Sequence, residues 1–507
     1  MQQIIPAITL EVAVLILGLL MLFAEAFSKT ADRSHMARYA IAVLLALIGF
    51  SFFTIQRPAD YVFGSGGMWD FYSDDATSMF FKRIALATTA IVLVMALEYR
   101  SVLVKFIPGT EEGRGTGEFY CLPVFICAGL MFMASAVDFV LIFVALELVT
   151  IGFYILVAYM RRHEQSLEAG VKYLILGALS TGFLVYGITW IFGLTGQTRL
   201  VDVKAALVTG FANGGALVGN EHALLFGVML VLIALGFKIA AAPFQLWVPD
   251  VYQGAPTPIT AFLSVGSKAA GFVVLVRVLD VFLAVPSISS KVIGVLVLLA
   301  VLTLLYGNLT AMPQDNLKRL FAYSSIAHAG YLLVACASLA ADPVGAKEAI
   351  SFYLAGYLVM TLLSFLVLTT VARQSRGDDI RHFAGLGKRN PFLAFAMTVA
   401  IASLAGIPLT AGFLGKFLVF KSAVAAGQWA LIGVGIIGVG AGFYYYIKVI
   451  AAMYWDKPND KTVITVGPLT RLFVVGLVGL VFVLGIWPAP ILNQLSERPA
   501  PAAVAHK

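Results

Sequence analysis

A chain of 507 residues that is 60% hydrophobic and only 12% charged is too apolar for a soluble globular protein, which carries about twice that share of charge. The net charge of +7 does not mark a nucleic-acid partner, because the lysines and arginines sit in short loops between apolar runs, the topology signal of a membrane protein. Cys121, Cys127 and Cys336 lie in or beside apolar runs without a C-x-x-C or a Cys/His cluster, so neither a disulfide framework nor a zinc or iron–sulfur site is expected.

Apolar runs of about 20 residues, each long enough for a bilayer core of about 30 Å, recur along nearly the whole chain. They predict an all-α, polytopic membrane protein of about fourteen transmembrane helices. Residues 1–116 carry the first three spans, 5–26, 38–56 and 79–98. The first has no basic residue ahead of it and no small-residue cleavage site, so it reads as a retained helix and not a signal peptide. Residues 117–280 carry spans 117–135, 138–160, 167–193, 222–245 and 256–280. Residues 281–455 carry 291–311, 320–339, 347–372, 391–420 and 427–454, and residues 456–507 hold a last span, 470–488, and a tail. Placing both termini outside puts Arg161, Arg162, Lys318, Arg319, Arg373 and Arg381 among the cytoplasmic loop residues, as the positive-inside bias requires.

Two spans carry breaks. Pro243, in the seventh, leaves the Ile239 carbonyl without its helical donor, and Pro408, in the twelfth, does the same to Leu404. Gly406, Gly412 and Gly415 weaken the twelfth further. A simple packing kink is one reading. Backbone groups freed at membrane depth otherwise survive only inside protein or beside water, and a charge stands close to each break.

Five ionisable residues sit about halfway through spans: Glu147 in VALELVT, Lys238 in LGFKIAAAPF, Lys268 in SVGSKAAGF, His328 in SSIAHAGYLL and Lys416 in AGFLGKFLVF. At 1.5 Å per residue Glu147 lies about 13 Å below Asp138, where its span begins, too deep for snorkelling. A charge at that depth costs at least about 2.5–3.5 kcal/mol, so these side chains must face protein, water or each other. Burial disfavours the charged form of any such group and an opposite charge favours it; a lysine under both influences gains or loses a proton when a neighbour moves. Histidine titrates near neutrality unaided. Each residue alone has a plainer reading, a static ion pair for a lysine or for Glu147 and a packing hydrogen bond for the histidine. The five together point to a proton relay. Lys172, about two turns inside the sixth span, suits either a proton path or snorkelling; Lys448 and Arg277, near span ends, are expected to snorkel. Asp250, in the rigid loop WVPDVYQGAPTP, reads as structural.

Glu147 to His328 is 181 residues and Lys238 to Lys416 is 178. Each pair is five spans apart, and an odd separation reverses direction across the membrane. That is the mark of an inverted repeat, spans 4–8 against 9–13, with sites at the midplane of broken helices. The prolines do not keep the offset, so the repeat is degenerate. The glycine runs GSGG at Gly64 and GRGTG at Gly113 follow no strand of a βαβ unit, which leaves a dinucleotide reading very weak.

LEAGVKYLILGALSTGF, GFKIAAAPFQLWVPDVYQGAPTPITAFLSVGSKAAGF, RLFAYSSIAHAGYLL and GIPLTAGFLGKF closely resemble subunit N of bacterial NADH-quinone oxidoreductase, respiratory complex I. The likeness runs from about residue 120 to 455. The SVGSK form separates subunit N from its relatives L and M, and Lys416 departs from M, which typically has glutamate there. The resemblance implies an antiporter-like subunit that translocates protons, driven by quinone reduction elsewhere in the complex. By motif it makes Glu147 and Lys238 an ion pair, Lys268 the connecting lysine, His328 the central histidine and Lys416 the terminal lysine. It implies no cofactor in this chain, with NADH, FMN, iron–sulfur clusters and quinone in other subunits. It implies phospholipids and subunits resembling K and M as neighbours, with a lateral helix of L, in a bacterial inner membrane. Two other readings stay open: a subunit of a multi-chain cation/proton antiporter, and a structural spacer in the membrane arm.

Overall fold

A computed structural model describes residues 8–27, 32–53, 71–107, 116–212, 215–375, 377–458 and 463–495. The glycine run at Gly64 and most of that at Gly113 lie outside them. The chain folds as helices: α1 (Thr9–Phe27), α2 (Ser34–Ser51), α3 (Ala76–Phe106), α4 (Gly117–Ser135), α5 (Phe139–Val157), α6 (Glu164–Thr195), α7 (Leu200–Gly210), α8 (Glu221–Ile239), α9 (Val248–Gly254), α10 (Thr257–Phe262), α11 (Lys268–Phe282), α12 (Pro286–Ala311), α13 (Leu317–Ser338), α14 (Pro343–Ser375), α15 (Leu386–Arg389), α16 (Pro391–Ala405), α17 (Ala411–Ala425), α18 (Trp429–Tyr454), α19 (Pro468–Ile486) and α20 (Ala489–Leu495). Starts follow local chemistry. Asp75, Asp138, Asn316 and Asn390 each accept a backbone N–H from the first turn of the helix they precede.

Thirteen described helices, α10 and α11 counted as one, are long and apolar enough to cross a membrane. The remaining expected span, the twelfth at 391–420, is two 15-residue pieces, α16 and α17, and neither crosses alone. α7 had no counterpart among the predicted spans. It is too short to span, and it buries Leu200, Val203 and Leu207 while Val201 and Val208 stay exposed.

The ends of the helices gather on two faces. Backbone bridges Tyr72↔Ala136 and Asp138↔Arg199 tie the starts of α3, α5 and α7 to the end of α4. The start of α1 shares this side by alternation, so it is called the N-terminal face below. On the opposite face Asn316↔Asp379 ties the start of α13 to the segment after α14. The membrane-depth parts of α13 and α14 are fully buried, those of α10–α11 and α3 nearly so, while α1, α6 and α19 are mostly at the periphery. Lys268 and His328 thus lie on the innermost helices.

Both breaks are present. α8 ends at Ala240, whose φ of +67° is left-handed, a conformation that costs a non-glycine residue about 1–2 kcal/mol. α16 ends at Gly406, φ +93°, where glycine removes that penalty. A third irregularity was not read from the sequence. Leu263–Ser267 is a π-helical turn between α10 and α11, and such turns concentrate at functional sites. Its extra residue resets the facing of Lys268, the next residue.

Candidate functional site

Lys238, Lys268, His328 and Lys416 are all buried, none more than 7% exposed. Lys238, in the last turn of α8, donates to the Thr150 hydroxyl of α5. Thr150 donates in turn to the Leu146 carbonyl at 2.6 Å. Lys268 donates to the Ser325 carbonyl of α13 and, at 2.5 Å, to the Ser325 hydroxyl. Around Ser325 stand Tyr252 at 3.1 Å and Tyr357 at 2.9 Å, and Tyr357 also meets Ser264 of the π turn at 2.9 Å. One turn along α13, His328 places Nδ1 2.7 Å from the Tyr353 hydroxyl and Nε2 3.3 Å from that of Tyr446. Tyr446 continues to Ser324. The His328 ring lies 5.0 Å from that of Tyr357.

Lys416 reaches back across the break. Its ammonium donates to the carbonyls of Leu404 at 3.0 Å and Ala405 at 2.8 Å, at the negative end of the α16 dipole. The carbonyl that Pro408 strips of its donor is therefore satisfied by a side chain from the other half of the same broken span. Lys416 also sits 5.1 Å from the Tyr331 ring centroid. The His328 ring is 6.3 Å from the same ring, so one tyrosine neighbours both basic groups.

Glu147 is half-buried and accepts a 2.7 Å hydrogen bond from Thr181 of α6. Thr150, Thr181, Ser180 and Lys238 line a cavity of about 10 Å³, about the space one water needs.

Residues 136–442 match the family described as NADH:quinone oxidoreductase/Mrp antiporter, TM. The chain is 41% identical over 456 residues to NADH-quinone oxidoreductase subunit N of Trichlorobacter lovleyi, covering 89% of this chain and 87% of that one. The chain belongs to the subunit N family. It is also 38% identical to subunit N of Heliobacterium modesticaldum, over 96% of each chain. A chain of respiratory complex I from Thermus thermophilus superposes with a TM-score of 0.78 at 29% identity, over 97% of this chain and all of that one. A chain of the Mrp complex from a Dietzia species has the same fold, with a TM-score of 0.78 at 19% identity.

For a subunit N relative, one expected contact is missing. Among the described residues no ion pair within 4.0 Å joins Glu147 to Lys238: each ends on a different threonine, the two separated by the small cavity. Nor does any carboxylate lie within 4.0 Å of Lys268, His328 or Lys416. Lys238 points instead at Thr150, one turn beyond Glu147 on α5. Lys172 is half-exposed and bonded at 2.7 Å to both Glu168 and Asp250, away from the central line. Asp250 also takes Arg319 at 3.0 Å, so it joins α6, α9 and α13 and is structural, as read from its loop. Burial raises the Asp250 carboxyl, but hydrogen bonds from Lys172 and Arg319 prevail and hold it below the usual value. Lys448 reaches Asp315 at 2.7 Å near the surface, as expected. Arg277 does not snorkel. It pairs with Asp75 at 3.0 Å, mostly buried.

The sequence reading missed the hydroxyls. Thr150, Thr181, Ser264, Ser325, Tyr353, Tyr357 and Tyr446 lie at span depths like those of the charges, and that was the available signal; hydroxyls are too common in membrane helices to stand out by type. It also missed Lys82 of α3, fully buried, 3.1 Å from Glu11 and 3.5 Å from Asp74, with the Tyr72 hydroxyl accepting from it at 2.6 Å.

Proposed function

We propose that this chain moves protons along Glu147, Lys238, Lys268, His328 and Lys416 in the membrane arm of a NADH-quinone oxidoreductase. The observation that carries the reading is the absence of countercharges among the described residues: four buried basic groups end on hydroxyls, carbonyls and rings. A static ion pair, the plainer reading of a mid-membrane lysine, requires a carboxylate at contact. A hydroxyl accepts from an ammonium and donates to an amine, so Lys238 and Lys268 keep a partner in either protonation state.

The line is hydrogen-bonded in segments. Glu147 with Thr181, Lys238 with Thr150, Lys268 with Ser325, and His328 with Tyr353 and Tyr446 are each closed locally. No direct hydrogen bond joins Lys238 to Lys268 or His328 to Lys416 among the described residues. A proton crosses those gaps by water or by side-chain motion, and this suits a pump, which must not be a continuous wire. Displacement of the Glu147 charge by a neighbouring subunit would alter the field at Lys238 and start the sequence. Left-handed ends of α8 and α16 beside Lys238 and Lys416 support the inverted repeat of spans 4–8 and 9–13. Redox centres belong to other subunits in this reading, subunits resembling K and M flank the chain, a lateral helix of L runs beside it and both termini face outward from a bacterial inner membrane.

The test replaces Lys238 or Lys268 with alanine in the assembled complex. Protons pumped per NADH should fall in both while assembly is kept. Undiminished stoichiometry in both variants would remove the relay and leave the membrane-spacer reading.

A further inference from the structure

On the N-terminal face, the start of α3, the second half of α11 and the start of α14 enclose a cavity of about 240 Å³. It is lined by Asp75, Arg277, Asp280, Lys347, Ser351 and a set of apolar residues. This site is separate from the relay groups. Its charges come in two tiers. Asp280 and Lys347, paired at 2.8 Å, are more than 40% exposed and stand at the mouth. Asp75 and Arg277, paired at 3.0 Å, are 10% and 14% exposed and stand deeper. The Arg277 guanidinium also donates to the Ser78 hydroxyl at 2.8 Å and to the Ala134 carbonyl at 3.1 Å. Its Nε is buried with no hydrogen-bond partner among the described residues. A cavity of this size with fixed charges on its walls holds several waters. Below the charges, Phe81, Val273 and Ile350 form an apolar floor.

The two helices that wall the cavity lead directly to the relay. On α11, Lys268 is five residues from Val273, about 8 Å along the axis. On α14, Tyr357 is six residues from Ser351, about 9 Å. Two or three waters span such a distance.

We propose that this vestibule is the port through which protons from Lys268 leave the subunit on the N-terminal face, across the Phe81–Val273–Ile350 floor and past the two ion pairs. This rests on the relay reading above. The floor acts as a hydrophobic gate: dry, it blocks back-leak; wetted, it conducts. The ion pairs keep the outer part hydrated without net charge, so the two carboxylates an emerging proton passes are each already paired.

The experiment uses the assembled complex in sealed, oriented vesicles carrying Thr77→Cys, a cavity-lining position. The native Cys121, Cys127 and Cys336 are buried and serve as the unreactive background. A membrane-impermeant trimethylammonium methanethiosulfonate is applied from each side, and labelling is read by mass spectrometry. Modification is expected only from the side opposite the NADH site, with protons per NADH falling below the unmodified variant's own value and returning when thiol reductant removes the adduct. Ser351→Cys is the second position should Thr77→Cys not assemble. Full labelling with unchanged stoichiometry overturns the proposal, as does labelling only from the NADH side or none at both positions. Lys238→Ala reports on the relay independently, so loss of that reading and loss of the port give different results.

Discussion

Lys238 ends on Thr150 and Lys268 on Ser325, and this choice of partner decides what a buried lysine is for. A carboxylate would lock the proton in place. A hydroxyl gives the nitrogen an acceptor when charged and, once Thr150 turns its single proton away from the Leu146 carbonyl, a donor when neutral. Thr150→Val keeps the shape and removes the acceptor. A buried ammonium then loses a hydrogen bond typically worth about 1.5–3 kcal/mol. Pumping by the assembled complex should slow by roughly an order of magnitude or more, while Thr150→Ser should restore most of it. Normal pumping by the valine variant would mean that the hydroxyl plays no part.

At the scale of elements, the bundle places these groups by close backbone approach. A Cβ on Gly307 of α12 would sit 2.5 Å from the Ala327 nitrogen and 3.0 Å from the Tyr323 carbonyl of α13. Both are backbone atoms that cannot swing aside. Gly307→Val must therefore push α13 away and carry His328, the residue after Ala327, off Tyr353 and Tyr446. Overpacking of this kind costs about 1–3 kcal/mol. The expected outcome is a lower yield of complex on native gels, and lower proton stoichiometry in what does assemble. Broken helices were legible as elements, because Pro243 and Pro408 interrupt apolar runs that composition makes transmembrane. The π turn ahead of Lys268 was not, since Leu263–Ser267 is as apolar and small as its surroundings and its register depends on how α10 and α11 dock. Nor was α7, an 11-residue helix in a loop where no apolar run of membrane length marks it.

Across the whole molecule, Asp250 ties together helices far apart in sequence, bonding Lys172 of α6 and Arg319 of α13. Its folded carboxyl lies below the usual value of 3.8. A depressed carboxyl contributes stability that is fully present above the unfolded value and is lost as pH falls through the folded one. The native complex should lose thermal stability below about pH 4. Asp250→Asn should lower the melting temperature at neutral pH and narrow that gap at acid pH. A constant difference at all pH values would show that the carboxylate charge is not what joins these helices. The same scale explains the missing Glu147–Lys238 contact. Glu147 faces the periphery of α5, beside exposed Val144 and Leu148, and Lys238 faces the interior. Which of two residues one turn apart on α5 meets the lysine depends on how α8 is rotated, and rotation is a property of packing.

Apolar runs, the spacing of charges within them and two prolines determined that this chain spans a membrane about fourteen times and keeps ionisable groups at half depth. They could do so because a bilayer has a fixed thickness and charges an energetic cost that no local arrangement escapes. Partners were decided only in three dimensions. Thr150 rather than Glu147 at Lys238 and Arg277 against Asp75 each join helices distant in sequence. Such contacts follow from the angle and rotation at which whole helices pack, and no residue specifies those alone.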